Sequence, residues 1–361
     1  MRVFRESMRT SAAIVMVLAL VASLSTLASA VGYNVTNLVA DQPGVASHTD
    51  PNLINAWGIS FSSTGPFWVT DNNTGLSTVY NSNGVPQPLV VTIPLPPGMS
   101  GTSTPTGTVF NSTTDFVVTE GAKSGAASFL FVTEEGTISG WKSTVDMTNA
   151  ILAVDNSAQG INYKGMEIAN NGTGNFLYIA NFFDGTIDVY DGSFNKVSLS
   201  GSFTDPRLPP GFAPFNIRKL GTRLFVSYAK QNADKSDAVL GPGLGLVDIF
   251  DLNGNFLKRF ATKGMLNAPW GVAMAPTNFG TFSKALLVGN LGDGRITAYN
   301  PNTGAVLGQL SSPTGQVISI SGLWAITFGN GGQGGMKNVL YFAAGPGGYS
   351  HGLFGSIAAQ P

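Results

Sequence analysis

Set against itself, the chain repeats six times. A short apolar strand recurs at Ala56-Trp57-Gly58-Ile59, Thr106-Gly107-Thr108-Val109, Gly165-Met166-Glu167-Ile168, Pro214-Phe215-Asn216-Ile217, Pro269-Trp270-Gly271-Val272 and Leu323-Trp324-Ala325-Ile326. A unit recurring every 50 to 60 residues or so is one supersecondary element that cannot bury its apolar face alone, so neighbouring copies must pack on one another. A hairpin follows, clearest in Phe67-Trp68-Val69-Thr70-Asp71-Asn72, then Gly75, then Ser77-Thr78-Val79-Tyr80; it is matched by Leu177-Tyr178-Ile179-Ala180-Asn181, then Asp184-Gly185, then Ile187-Asp188-Val189-Tyr190. Leu286 to Tyr299 repeats it too, with Asp293-Gly294 at the turn, and Phe129 to Trp141 does so more weakly. Asp-Gly between alternating β-branched and aromatic runs predicts a tight hairpin, here a type I′ turn with positive φ at both central residues.

A fourth strand closes most units: Leu89-Val90-Val91, Lys196-Val197-Ser198 and Phe256-Leu257-Lys258 each follow an Asx-Gly turn. The last unit offers only three strands before Pro361, whereas Tyr33 to Ala40 reads as a strand that precedes the first complete unit. Supplying the missing strand from the N-terminus closes the ring without an unpaired seam. The expected fold is therefore all-β, a six-bladed β-propeller closed by its N-terminal strand. The 46 glycines and the 11% of charged residues agree with many short strands joined by tight turns.

Arg2, Arg5 and Arg9 precede an apolar stretch from Ala12 to Leu24 and then Ala28-Ser29-Ala30. That order is the pattern of a secretory signal peptide. Residues 1–30 are expected to be a leader and 31–361 one propeller domain, secreted or periplasmic, with no membrane span after cleavage. A net charge of −1 offers no footprint for nucleic acid. With no cysteine, disulfides and thiolate chemistry are excluded, and two histidines cannot make a three-histidine zinc site.

The hairpin pattern resembles the NHL-type propeller repeat. Over nearly all of residues 34 to 357 the chain is similar to a family of uncharacterised secreted bacterial propeller proteins. The residues that carry this likeness are Asp50-Pro51-Asn52-Leu53-Ile54-Asn55-Ala56-Trp57-Gly58, Thr137-Ile138-Ser139-Gly140-Trp141, Ala213-Pro214-Phe215-Asn216-Ile217, Leu287 to Gly294 and His351-Gly352-Leu353-Phe354-Gly355. The resemblance implies the fold and export, and brings no assigned reaction with it.

Ligands of propellers bind at the channel face, so polar residues there are the candidates. Glu167 and Asn216 read as equivalent positions of two first strands. Asp71, Asn181 and Asn290 end three second strands. Carboxylate and amide oxygens suit Ca²⁺, and Glu167, Asn216 and Asn290 form the candidate set. Propeller lactonases of the gluconolactonase type are similar in placing Glu, Asn and Asp around one divalent ion. The same Asx residues also cap turns at strand ends, and Glu167 within an apolar strand needs a partner or a metal. Lys230 and Gln231 open the longest polar insertion, Tyr228 to Asp237, as candidate loop contacts. Trp57, Trp270 and Trp324 read as packing between blades. Two readings remain: a binding or scaffold module for a small molecule, glycan or envelope protein, with no firm cofactor, and a divalent-metal hydrolase or lyase.

Overall fold

Six antiparallel sheets form the blades of a β-propeller. The computed structural model describes residues 32–360; the expected leader, residues 1–30, lies outside the described residues. From the innermost strand outward, blade 1 runs Ala56–Ser60, Phe67–Asp71, Leu76–Tyr80 and Pro86–Thr92. Blade 2 runs Pro105–Phe110, Phe129–Thr133, Thr137–Trp141 and Ile151–Asp155. Blade 3 runs Tyr163–Asn170, Asn175–Asn181, Thr186–Asp191 and Lys196–Val197. Blade 4 runs Phe212–Leu220, Arg223–Gln231, Gly245–Asp251 and Phe256–Thr262. Blade 5 runs Pro269–Met274, Leu286–Asn290, Ile296–Tyr299 and Val306–Gln309. Among the described residues no helix is long and apolar enough to cross a membrane.

Blade 6 contains both ends of the chain. Leu323–Phe328, Val339–Ala344 and Leu353–Ala359 are completed by Tyr33–Ala40. That strand pairs antiparallel with Leu353–Ala359, from Tyr33 opposite Ala359 to Ala40 opposite Leu353. Asp41, just beyond it, holds His351 Nδ1 at 2.7 Å and accepts the Gly352 N–H at 3.0 Å. Tyr33 anchors the other end: its hydroxyl donates to the Phe279 carbonyl at 2.9 Å and accepts the Phe282 N–H at 3.0 Å in blade 5. Tyr33→Phe strands a buried carbonyl and a half-buried N–H and is expected to cost about 2 kcal/mol in a denaturant titration. An unchanged midpoint would remove the anchoring role.

The hairpin turns differ from the type I′ expectation. Of Asp184-Gly185 and Asp293-Gly294 only the glycines have positive φ, 73° and 66°. The loops are longer, and the glycine N–H bonds back four residues to the strand-ending Asx: Gly75 to Asp71, Gly185 to Asn181 and Gly294 to Asn290. The Asx side chain then holds the turn from inside, as when Asn181 Oδ1 accepts the Asp184 N–H at 3.1 Å. Blade 2 adds a hairpin that the sequence pattern did not show, Val117–Glu120 with Lys123–Ala126, between its first two strands.

Candidate functional site

The strand registers fix which residues share a level along the channel. Opposite Val69, Phe131, Ile179, Val226, Val288 and Phe342 of the second strands stand Ile59, Thr108, Met166, Ile217, Val272 and Ile326. The preceding residues are Gly58, Gly107, Gly165, Asn216, Gly271 and Ala325, small except for Asn216. A Cβ on Gly165 would lie 1.9 Å from Asn216 Oδ1, and one on Gly271 would lie 2.8 Å from the Trp324 carbonyl. Small residues thus let the inner strands approach until the axis holds a cavity of about 20 Å³, room for about one water. Asn216 closes the ring by donating to the Trp270 carbonyl at 2.7 Å.

This register corrects the sequence alignment of blade 3. Asn216 is level with Gly165, and Glu167 lies two residues further on, level with Arg218. Glu167 borders a pocket of about 160 Å³ at the lower mouth, where the inner strands end, together with Ser60, Phe61, Thr108 and Arg218. Its carboxylate accepts the Ile168 N–H at 3.0 Å and the Lys219 N–H at 2.8 Å, with the Arg218 guanidinium 3.8 Å away. The partner this buried carboxylate needed is therefore protein. The residues of the Ca²⁺ set do not fit a single cation. Asn216 Oδ1 accepts the Ile217 N–H, Asn290 Oδ1 accepts the Asn267 N–H, and the three side chains share no partner. Among the described residues no group of three or more His, Cys, Asp and Glu is arranged to hold a metal ion. Glu167→Gln is expected to shift stability by less than about 1 kcal/mol, since its ion pair is long and partly exposed. EDTA should leave the melting temperature of both proteins unmoved; a Ca²⁺-dependent rise lost in the variant would reinstate the cation.

Asp71, Asn181 and Asn290 are fully buried. Asn181 donates to Asp184 and Asp188, and Asn290 to Asp293 and the Met265 carbonyl, so both fix their own turns. The Asp71 carboxyl is held well above the usual range by burial, with Asp50 adding to the shift. Lys230 is exposed, while Gln231 reaches across to blade 3 and donates to the carbonyls of Phe182 and Phe183. His351 faces Asp41 and Gln42 rather than a nucleophile, and the Ser350 hydroxyl donates to the Gly347 carbonyl.

The upper mouth, where the inner strands begin, holds the polar cluster that the sequence pattern missed. Trp57, Trp270 and Trp324 converge there. Trp57 stacks on Trp324 at 3.5 Å between centroids, and Trp270 meets Trp324 edge-on at 6.3 Å. Blade 3 puts Lys164 where those blades have Trp, one residue before the small residue of the ring. Lys164 is wholly buried, ion-paired with Glu134 and 5.2 Å from the Trp57 ring centroid. The other Glu134 oxygen accepts from Asn72 at 3.1 Å; Asn55 donates to Asn72 and accepts from the Trp324 indole at 2.9 Å. Asp237, from the long insertion of blade 4, lies within the field of both charges. Burial raises its carboxyl pKa, and Lys164 opposes the rise. Tyr349 packs over Trp324, and its hydroxyl is pushed up to about 12 by burial, then by Asp237 and Glu134. Aligning Gly165 with Gly58 and Gly271 is the sequence signal that would have singled out Lys164.

No described protein-family profile matches the chain. An uncharacterised protein of Acanthamoeba polyphaga mimivirus is 33% identical over 298 residues, 81% of this chain and 72% of that protein. A second mimivirus protein, also uncharacterised, is 34% identical over 298 residues, 81% of this chain and 77% of its own length. Among solved structures, the Escherichia coli soluble aldose sugar dehydrogenase superposes with a TM-score of 0.52 at 13% identity, over 91% of this chain and 100% of that one. Virginiamycin B lyase from Staphylococcus aureus gives 0.51 at 11% identity, over 91% and 100%. At such identities the likeness is one of fold alone.

Proposed function

Because this chain belongs to the same family as the two uncharacterised mimivirus proteins, we propose that it is an exported β-propeller binding module whose upper face recognises a ligand or an envelope partner. The observation that carries this reading is the Lys164–Glu134 pair. A fully buried ammonium is balanced by a carboxylate whose side chain remains 25% exposed, at the mouth where several blades converge. Asn72, Asn73, Asp237 and Tyr349 add amide, carboxylate and phenol groups beside it. Carboxylates, amides and aromatic rings together suit a hydroxylated ligand such as a glycan. The lower mouth supports the metal-hydrolase reading less, since Glu167 is neutralised by Arg218 and two backbone N–H groups.

The test uses an immobilised panel of envelope polysaccharides and their oligosaccharides. The wild type should be retained by at least one member. Retention should fall about tenfold when Asn73→Ala and Asp237→Asn are combined, with the melting temperature preserved. Retention by no member, or equal retention of the variant, rejects the upper face as a glycan site.

A further inference from the structure

Blade 3 departs from the other five in its outermost strand. Lys196–Val197 pairs only with Tyr190 and Val189. Among the described residues no strand pairs with Thr186, Ile187 and Asp188 on their outer side. The chain beyond Val197 leaves the strand, though burial still alternates along it: Val197 and Leu199 are half-buried and Phe203 buried, while Ser198, Ser200 and Ser202 are exposed. It turns away towards blade 4, where the Gly201 N–H bonds to the Asn253 carbonyl at 2.8 Å and the Phe203 N–H to the Gly254 carbonyl at 2.9 Å.

A groove of about 840 Å³ opens between the two, with Thr186–Asp188 on one side and Ser198–Thr204 on the other. The Thr186–Asp188 wall is an extended edge, whereas the other wall bends at Ser200 and Gly201 and turns at Phe203, whose φ is 52°. An edge of this kind carries a row of backbone donors and acceptors that an added strand pairs in order and that a compact small molecule does not. Ile187 and Phe203, both buried, alternate with polar neighbours along these walls. The charges are unequal. Lys196 neutralises Asp188 at 2.8 Å, which leaves Asp184, exposed, as the excess carboxylate.

We propose that this groove is a strand-addition site for an extended peptide segment of a partner protein, with alternate apolar residues facing Ile187 and Phe203 and a lysine or arginine against Asp184. The groove shares no lining residue with the upper-mouth cluster, and the proposal does not depend on that cluster's ligand.

The probe is a linear peptide library displayed on phage and panned against the mature protein. Selected peptides should alternate apolar and polar residues, carry a basic residue, and bind the wild type at least about tenfold more tightly than either Ser200→Trp, which fills the groove, or Asp184→Lys, which reverses its charge. Hydrogen exchange of the wild type with a selected synthetic peptide should show slowed exchange at Thr186–Asp188, a readout that holds even where a variant folds poorly. No enrichment over uncoated support, equal binding to both variants, or unslowed exchange at that edge overturns the proposal. A wild type that dimerises through the groove, with the dimer lost in Ser200→Trp, overturns it in favour of a second copy of this chain.

Discussion

Glu134→Gln is expected to destabilise the protein by about 3 kcal/mol, whereas Lys164→Met costs only about 1 kcal/mol, although the two substitutions break the same ion pair. The asymmetry follows from exposure. The Lys164 side chain has no contact with solvent, while that of Glu134 remains 25% exposed. Losing the carboxylate leaves an ammonium among Trp57 and Phe182 rings, with Asp237 still within its field. Losing the ammonium leaves a carboxylate that Asn72 and water still solvate. Methionine fills much the same volume and suits an aromatic setting. The double variant should therefore be more stable than Glu134→Gln alone. Denaturant titrations of the three proteins measure this, and a reversed order for the single variants would show that Glu134 is not the compensating charge.

Stability is expected to fall as pH rises from about 4 to about 7. Asp248, at the blade 4 periphery, is pushed up to about 7 by burial and then by Asp205, with Arg259 opposing. Arg259 serves both carboxylates: it bonds to Asp205 and lies 3.6 Å from Asp248. In this window the unfolded chain has released the Asp248 proton and the folded chain still holds it. Raising the pH therefore withdraws stability, by at most about 1.4 kcal/mol per unit, until the folded group also ionises. Asp71 and Asp237, also raised, act in the same direction. Towards still lower pH the trend reverses, because hydrogen bonds from Asn149 and Ser157 hold Asp146 and Asp155 below the usual range. Thermal melts should thus give a maximum at about pH 4 and a midpoint several degrees lower at about pH 8. Asp248→Asn should flatten much of that slope and raise stability at pH 8 by about 2–4 kcal/mol. A profile that is flat or rises between pH 5 and 8 would contradict the buried-acid account.

Blade count and hairpins were legible because both rest on local patterns that recur along the chain, and ring closure followed from counting strands per unit. Tyr33 to Ala40 was recognisable as the missing strand since most units had a fourth strand and the last offered only three. The inserted hairpin of blade 2 escaped because Val117–Ala126 occurs once and has no counterpart to compare with. In blade 3 the first strand was placed two residues out of register, and in blade 2 one residue. Taking Gly165 as the first residue of the copy rather than the residue after the tryptophan position paired Glu167 with Asn216 and hid Lys164. Glu167 was rightly marked as a carboxylate in need of a partner; that the partner is Arg218 depends on a neighbouring strand's register.

The sequence by itself determined the blade number, the strand order and the Asx-Gly turns, because alternation and turn chemistry act over a few residues. Only the tertiary structure decided what the ring surrounds. Lys164, Glu134, Asn55, Asp237 and Tyr349 come from five different blades, and Thr186–Asp188 is a free edge only because the chain after Val197 turns to blade 4. Side chains separated by tens to hundreds of residues meet when the ring closes, and no local periodicity encodes that meeting.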